Sequence, residues 1–165
     1  MSSIAPPAHN RGRHTTDDWI TPKWIIDRLG PFDLDPCASK FQPWPCAARQ
    51  LTEFGLMAAW GGDFVWMNPP YGKMTADWLA KLAAHDNGIA LVFARTETKM
   101  FFESVWNKAA CLLFLRGRLT FHYPDGSGSK PGHNSGGPSV LIGYGAKATK
   151  RLQAAKDLGV LVRVE

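Results

Sequence analysis

The chain has 165 residues and 45% hydrophobic residues, which fits one folded domain with one core and argues against wholesale disorder. Its net charge of +5 favours a polyanionic partner such as nucleic acid, although charge alone identifies none. The three cysteines show no CxxC spacing, so we expect neither a disulfide framework nor a zinc site, and we predict no metal.

The sequence also gives expectations about location. No apolar run approaches the ~20 residues that span a bilayer, and the first residues lack the apolar core of a secretory signal. We therefore expect no membrane contact and a cytoplasmic location. Residues 1–16 are polar and contain two prolines, which predicts a flexible N-terminal tail, with the folded domain over residues 17–165.

The predicted elements alternate between helices and short apolar strands. Thr21-Pro22 offers an N-cap followed by proline at the first helical position, and Gly30-Pro31 ends this first helix after Leu29. Apolar spacing predicts three further helices, over residues 75–85, 98–108 and 146–158. The predicted strands are residues 32–35, 63–67, 89–94, 111–115, 119–123, 139–144 and 160–164.

This alternation predicts an α/β fold with a mostly parallel sheet and helices on both faces. In such sheets, ligands bind at the loops that leave the carboxyl ends of the strands. Two unusual segments lie at such ends, residues 35–39 and residues 68–72. Both are therefore candidates for a binding site.

The strongest local signal is Asn68-Pro69-Pro70-Tyr71, directly after a predicted buried strand. A rigid turn alone would explain the prolines, because proline restricts its own φ and the residue before it. The segment also suits a chemical role. The N6 amine of adenine is a poor nucleophile, because its lone pair is delocalised into the ring. Two acceptors on its N–H bonds, the Asn68 side-chain oxygen and the Pro69 carbonyl, favour a pyramidal nitrogen that can attack.

The stiff backbone of this segment would hold both acceptors in place before a substrate arrives, which is electrostatic preorganisation. Tyr71 supplies a flat face on which a purine can stack. A methyl donor must lie in line with the amine, so proximity contributes much of the rate. A base in a duplex must be flipped out to reach such a pocket, unless the substrate is single-stranded.

In its motifs and in their order along the chain, the sequence resembles the phage-type DNA N6-adenine methyltransferases, which are related to Dam enzymes. The resemblance covers residue 17 to about residue 144. Its segments are residues 18–22 (DWITP), 32–39 (FDLDPCAS), Gly55-Leu56 with Trp60, 66–71 (WMNPPY), 94–98 (ARTET) and 117–121 (GRLTF). It implies a Rossmann-like S-adenosylmethionine-dependent methyltransferase fold, with residues 17–165 as the methyltransferase domain.

The resemblance also implies roles for individual residues, with S-adenosylmethionine as cofactor and DNA as partner. The catalytic residues would be Asn68, Pro69, Pro70 and Tyr71. The cofactor would contact Thr21 and Pro22 at its methionine part, then Asp35, Pro36, Cys37, Ala38, Ser39 and Asn68, and Glu53, Gly55 and Leu56 at its adenosine.

One departure limits this transfer of roles. Broader methyltransferase families carry a glycine-rich loop after the first strand, whereas residues 36–39 are small but contain no glycine. Contacts of the glycine-loop enzymes therefore do not carry over atom by atom. Asp35 alone also fits a turn carboxylate at the end of a strand.

Candidate DNA contacts lie at strand ends and on one long loop, because the chain has no room for a separate target-recognition domain. The loop, residues 125–138, is rich in glycine and suits a segment that orders on substrate binding, although a simple hairpin connection explains it as well. Each basic residue also fits an ordinary solvated charge. The candidates are Arg95, Lys99, Arg116, Arg118, Lys130 and His133.

These observations predict a site-specific DNA methyltransferase that modifies N6 of adenine. An RNA or protein-glutamine N-methyltransferase is the alternative enzyme, because planar amines and amides suit the same acceptors. A basic nucleic-acid-binding module without catalysis is the alternative that is not an enzyme. The family further suggests a phage or prophage gene acting in a bacterial host cell, in the context of restriction and modification.

Overall fold

Seven short strands form one sheet in the computed structural model, which describes residues 19–123 and 136–164. The strands are β1 (Leu34–Asp35), β2 (Arg49–Gln50), β3 (Val65–Met67), β4 (Gly88–Phe93), β5 (Cys111–Leu115), β6 (Ser139–Tyr144) and β7 (Gly159–Arg163). The helices are α1 (Lys23–Leu29), α2 (Thr75–His85), α3 (Lys99–Phe101) and α4 (Gly145–Ala154). A π-helical segment (Phe102–Trp106) continues α3, and a 3-10 turn (Lys156–Leu158) follows α4.

Alternating side chains along the strands divide the core into two layers. Trp66 belongs to the layer that includes residues of α1 and α4, whereas its neighbours Val65 and Met67 belong to the layer that includes residues of α2 and α3. The same period of two continues along β4, β5 and β6, as strand geometry requires. The predicted α/β class with helices on both faces is therefore confirmed.

The prediction of a mostly parallel sheet is wrong. The strand order is β2-β1-β3-β4-β6-β5-β7. The pairs β1–β2, β1–β3 and β3–β4 are parallel, but they involve few residues. The longer pairs β4–β6, β5–β6 and β5–β7 are antiparallel, so most paired residues lie in antiparallel ladders.

The physical reason lies in the connection between β5 and β6. Strands joined through a helix do run in the same direction, as a crossover requires: β3 and β4, β4 and β5, and β6 and β7. The β5–β6 connection has no helix among its described residues, and β6 runs against β5. Because β6 inserts between β4 and β5, it turns two expected parallel neighbours into antiparallel ones.

Two further local predictions need correction. The strand predicted over residues 119–123 is absent, since only His122 pairs, in an isolated bridge with Ile20. Its apolar alternation reflects Leu119 and Phe121, which are buried in a core layer without a partner strand. Thr21 is not the N-cap of α1. The helix begins at Lys23, one residue later than predicted, so Pro22 occupies the N-cap position.

Other boundaries differ less. The helix predicted over residues 98–108 is divided between α3 and the π-helical segment, and α4 ends at Ala154 rather than at residue 158. β2 escaped the sequence analysis because both of its residues are exposed. The predicted tail, residues 1–16, lies outside the described residues. None of the helices in the described ranges has the length and apolar character that crossing a bilayer requires.

Parallel pairing at one side of the sheet positions the loops that matter most. Asp35 of β1 pairs with Gln50 of β2, and Leu34 of β1 pairs with Val65 of β3. Since these three strands run in one direction, their carboxyl ends open at the same edge. The loops that follow them, residues 36–42, 51–55 and 68–71, therefore meet.

Lys81 of α2 fixes the segment that continues the second of these loops. Its Nζ donates hydrogen bonds to the carbonyls of Leu56 (2.7 Å) and Ala58 (2.6 Å) and lies 4.6 Å from the centre of the Trp60 ring. Partial removal from water lowers the pKa of Lys81. The lysine therefore joins α2 to residues 54–60 through charge-assisted hydrogen bonds.

We predict that Lys81→Met lowers the free energy of unfolding by about 1–2 kcal/mol, because methionine keeps an apolar stem but loses the donors. Urea unfolding measures this change. Lys150→Met on the exposed face of α4 is the matched control and should change the value by less than about 0.5 kcal/mol. An equal effect of the two substitutions would contradict the role given to Lys81.

Candidate active site

The loops at the shared strand ends enclose a cavity of about 320 Å³. Residues 19–21 form a further wall, and Trp66 and Trp78 contribute from β3 and α2. The volume lies within the range of about 300–1,000 Å³ that is typical of small-molecule and cofactor sites. The cavity therefore belongs to the parallel part of the sheet.

The structure brings most of the residues singled out in the sequence to this cavity. The proposed catalytic segment lines it, from Asn68 to Tyr71. So do these proposed cofactor contacts: Thr21, Asp35, Pro36, Cys37, Ala38, Ser39, Glu53, Gly55 and Asn68. Pro22 and Leu56 lie outside the lining. The roles assigned to all of these residues stay predictions.

Asp35 supplies a buried carboxyl group at the end of β1. Its Oδ1 accepts a hydrogen bond from the backbone N–H of Cys37 (3.1 Å), and the side chain of Gln42 also bonds to it. Burial outweighs these bonds and raises the pKa of Asp35 to about 7. The carboxyl group is therefore poised to change charge near neutral pH.

Gly55 lets the first two loops come together. A Cβ at this position would lie 1.7 Å from the carbonyl oxygen of Pro36 and 2.9 Å from the ring of Trp78. Only glycine fits such an approach of two backbones. At the exposed edge of the same two loops, Lys40 forms an ion pair with Glu53. The hydrogen bond and charge of Lys40 lower the pKa of Glu53.

Asn68 is held from two sides. Its Nδ2 donates a hydrogen bond of 2.7 Å to the main-chain carbonyl of Trp19, and its backbone N–H bonds to the thiol of Cys37. Its Oδ1 is buried and has no hydrogen-bond partner among the described residues. Buried acceptors are rarely left unpaired, so this oxygen marks a place for an external donor.

Tyr71 lies on Phe93, the last residue of β4. The ring centres are 4.5 Å apart and the rings are nearly parallel, with an interplanar angle of 16°. The Tyr71 hydroxyl is buried without a partner in the described part of the chain, and burial raises its pKa. Because Phe93 covers one face of the ring, a stacked base would use the other face.

Four of the predicted DNA contacts are described by the structure, and none of the four lines the cavity. Arg95, Lys99, Arg116 and Arg118 are exposed, and Lys99 forms an ion pair with Glu103 (3.5 Å). Arg95 follows Phe93 by two residues, which places it close along the chain to the Tyr71 ring stack. The two remaining candidates, Lys130 and His133, lie outside the described residues. Within the described ranges, no group of three or more potential ligands is placed to hold a metal ion.

Sequence analysis did not single out four residues that shape this site. Trp19 contributes a backbone carbonyl, for which a side-chain pattern gives no signal. Gln42 accepts a hydrogen bond from the Ser39 backbone (3.1 Å) and supports Asp35, but its position follows from the loop path alone. Phe93 has the sequence signature of an ordinary strand residue, and Lys40 that of an ordinary surface charge.

The comparison with protein families adds independent information. A family model described as DNA N-6-adenine-methyltransferase (Dam) matches residues 9–154, which include every segment that encloses the cavity. The chain belongs to this family. The resemblance seen in the sequence is thereby confirmed. No curated protein and no solved structure matches the chain at a significant level.

In this Dam-family protein, the raised pKa of Asp35 links stability to pH. The folded carboxyl group has a pKa of about 7, whereas an unfolded aspartate has a pKa of about 4. Between these values the folded state binds more protons than the unfolded state. The contribution of Asp35 to stability therefore falls as the pH rises from about 4 to about 7.

We predict that Asp35→Asn removes this loss. Without ligand, the free energy of unfolding of the variant relative to the parent protein should rise by at least about 1 kcal/mol between pH 5 and pH 8. Urea unfolding at both pH values measures it. Asp77→Asn, at an exposed position of α2, is the control and should show no such trend. A difference for Asp35→Asn that does not change with pH would contradict the effect of burial.

Proposed function

We propose that this Dam-family protein transfers a methyl group from S-adenosylmethionine to the N6 amine of adenine at specific sites in DNA. The observation that carries the proposal is the buried Oδ1 of Asn68 in the cavity, which no donor in the described part of the chain satisfies. The family of DNA adenine methyltransferases supports the substrate. The family description also names the N6 atom of adenine, and the charge and size of the cavity support S-adenosylmethionine as the donor.

The cavity fits S-adenosylmethionine in charge and in size. The cofactor carries a positive ammonium group and a sulfonium centre, and Asp35 is a buried carboxyl group that such a cation would hold in its charged form. Thr21, residues 35–39, Glu53 and Gly55 surround a volume suited to a nucleoside joined to an amino acid. When bound, the cofactor supplies an electrophilic methyl group.

Asn68 and Pro69 act on the other reactant. The Oδ1 of Asn68 is free to accept one N–H of the adenine amine, and the carbonyl of Pro69 is assigned to the second. Both residues occupy the stiff turn after β3, so the acceptors need no rearrangement when the base arrives. The two acceptors draw the N–H bonds out of the plane of the adenine ring, so the nitrogen lone pair is no longer delocalised and can attack the methyl group.

Tyr71 is assigned to hold the adenine ring. The Phe93 ring supports it from behind and limits its rotation, so the opposite face offers a fixed platform for stacking. Adenine inside a duplex cannot reach an enclosed cavity of this kind. The target base must therefore be extruded, or must come from single-stranded DNA.

The positive charge of the chain suits binding to the phosphate backbone. Arg95, Arg116 and Arg118 are exposed basic residues without an ion pair among the described residues, and we assign phosphate contacts to them together with Lys99. Lys130 and His133, on the loop over residues 125–138, are also proposed to contact DNA. The family also leads us to propose a phage or prophage origin, a role in restriction and modification, and action in the cytoplasm of the host.

Transfer of a labelled methyl group to unmethylated genomic DNA, followed by nucleoside analysis, tests the function. We expect N6-methyladenine as the labelled product. Label in RNA or in protein glutamine would support the other enzyme class. A protein that binds DNA but transfers no methyl group to any of these acceptors would be a binding module instead.

We further predict that Asn68→Ala abolishes methyl transfer, because the amine loses an acceptor that the transition state needs. Affinity for S-adenosylmethionine, measured by calorimetry, should stay within about threefold, a change below about 1 kcal/mol. The matched control is Asn107→Ala, at an exposed asparagine outside the cavity, which should retain full activity. Retained transfer by Asn68→Ala would contradict the assignment.

A further inference from the structure

The orientation of the Asn68 amide depends on one backbone group outside the catalytic motif. We propose that the main-chain carbonyl of Trp19 is a positioning group that makes this site selective for an amide at position 68. It holds Nδ2 and so presents Oδ1 alone to the substrate amine. The inference rests on the proposed function and adds a positioning element to it.

The first argument is chemical. The Nδ2 of Asn68 lies 2.7 Å from the Trp19 oxygen, a short hydrogen bond between a donor and a carbonyl. If the amide were turned by half a rotation, two acceptor oxygens would face each other at this distance. The carbonyl therefore permits only one orientation of the amide. In that orientation the buried atom that lacks a partner among residues 19–123 and 136–164 is the acceptor Oδ1.

The second argument is mechanical, because the carbonyl of Trp19 belongs to an anchored segment. Ile20 exchanges two backbone hydrogen bonds of 3.0 Å with His122. The indole N–H of Trp44 donates to the carbonyl of Thr21 (3.1 Å), and the Trp44 ring packs edge-on against the His122 ring. The Trp19 oxygen thus cannot move away without breaking contacts at the next two residues.

A carboxyl group at position 68 would meet this carbonyl differently. The ionised carboxylate offers only acceptors, so the Trp19 carbonyl would repel the oxygen that takes the place of Nδ2. This repulsion would turn the carboxylate and move its other oxygen away from the substrate amine. In its protonated form, its O–H can donate to the carbonyl, and the remaining oxygen can accept from the amine as Oδ1 does. Asn68→Asp should therefore be active only when the introduced group is protonated.

Other titratable groups face the same place and must be separated from this effect. Asp35 and Glu53 line the cavity, as do Lys40 and Cys37, while Tyr71 belongs to the same turn as Asn68. His122 lies across the bridge from Ile20. All of these groups are present in the parent protein as well. The ratio of the activity of the variant to that of the parent, measured at each pH, therefore removes their shared contribution.

The experiment measures single-turnover methyl transfer to DNA by Asn68→Asp and by the parent protein between about pH 5.5 and 8.5. We expect the ratio to rise as the pH falls, by up to about tenfold for each pH unit above the pKa of the introduced carboxyl group. A ratio that does not depend on pH overturns the inference. Parent protein that transfers no methyl group to DNA would instead overturn the proposed function.

Asn87→Asp is the matched control. The Nδ2 of Asn87 also donates to backbone carbonyls, those of Gly62 (3.1 Å) and Asp63 (3.2 Å), but Asn87 does not line the cavity. Its activity ratio should be flat. If the activity ratio of Asn87→Asp rose as much as that of Asn68→Asp at low pH, the pH dependence would reflect a general effect on folding of replacing a side-chain amide. That result would also overturn the inference.

Two measurements without cofactor or DNA do not depend on activity. Carbon-detected NMR titration of folded Asn68→Asp should give the introduced carboxyl group a pKa above its ordinary value, because the carbonyl favours the protonated form. In the parent protein, one side-chain amide proton of Asn68 should exchange slowly with solvent. If the variant does not fold, fast exchange of both protons in the parent protein is the result that rejects the inference.

Discussion

Parallel pairing of three very short strands is the constraint on which the rest of the site depends. β2, β1 and β3 share few paired residues, yet their common direction places three consecutive loops at one edge of the sheet. The close approach at Gly55 and the donors of Lys81 then hold these loops against one another and against α2. A cavity with acidic, amide and aromatic walls results from this arrangement.

The antiparallel part of the sheet contributes mainly to the hydrophobic core. β4, β6, β5 and β7 form the longer ladders, and the first three of these strands supply much of the buried apolar surface in both core layers. Such burial is the main source of folding free energy. It offsets the cost of a buried carboxyl group at Asp35 and of the buried Asn68 oxygen, for which the described residues provide no donor. Both parts of the sheet contribute to the core, whereas the cavity lies at the parallel strands.

Local pattern predicted what is encoded locally. The apolar spacing of α2 and the apolar runs of β4, β5 and β6 gave these elements at nearly their observed bounds. The turn after β3 was also predictable, because two prolines and a glycine restrict it strongly. The common direction of strands joined through a helix was also predictable from the alternation of helices and strands. The insertion of β6 between β4 and β5 did not follow, since it is decided by long-range packing.

The same division applies to the site. Side chains with a recognisable order, such as Asp35 and Asn68, were identified from the sequence and lie in one cavity. The carbonyl of Trp19 has no side-chain signature, and Phe93 looks like any core residue of a strand. Their contributions arise only when distant segments meet. Motif order therefore predicted which residues matter, whereas the three-dimensional structure is needed to see what orients them.

The most direct test of this account is an amide NMR titration of the protein with S-adenosylmethionine. The account predicts saturable shifts that centre on residues 35–39, 53–55 and 68–71, the three loops at the shared strand ends. Signals of β5 and β7, on the other side of the sheet, should stay in place. Saturable binding with shifts centred on β5 and β7 instead would contradict the claim that this cavity holds the methyl donor beside Asn68.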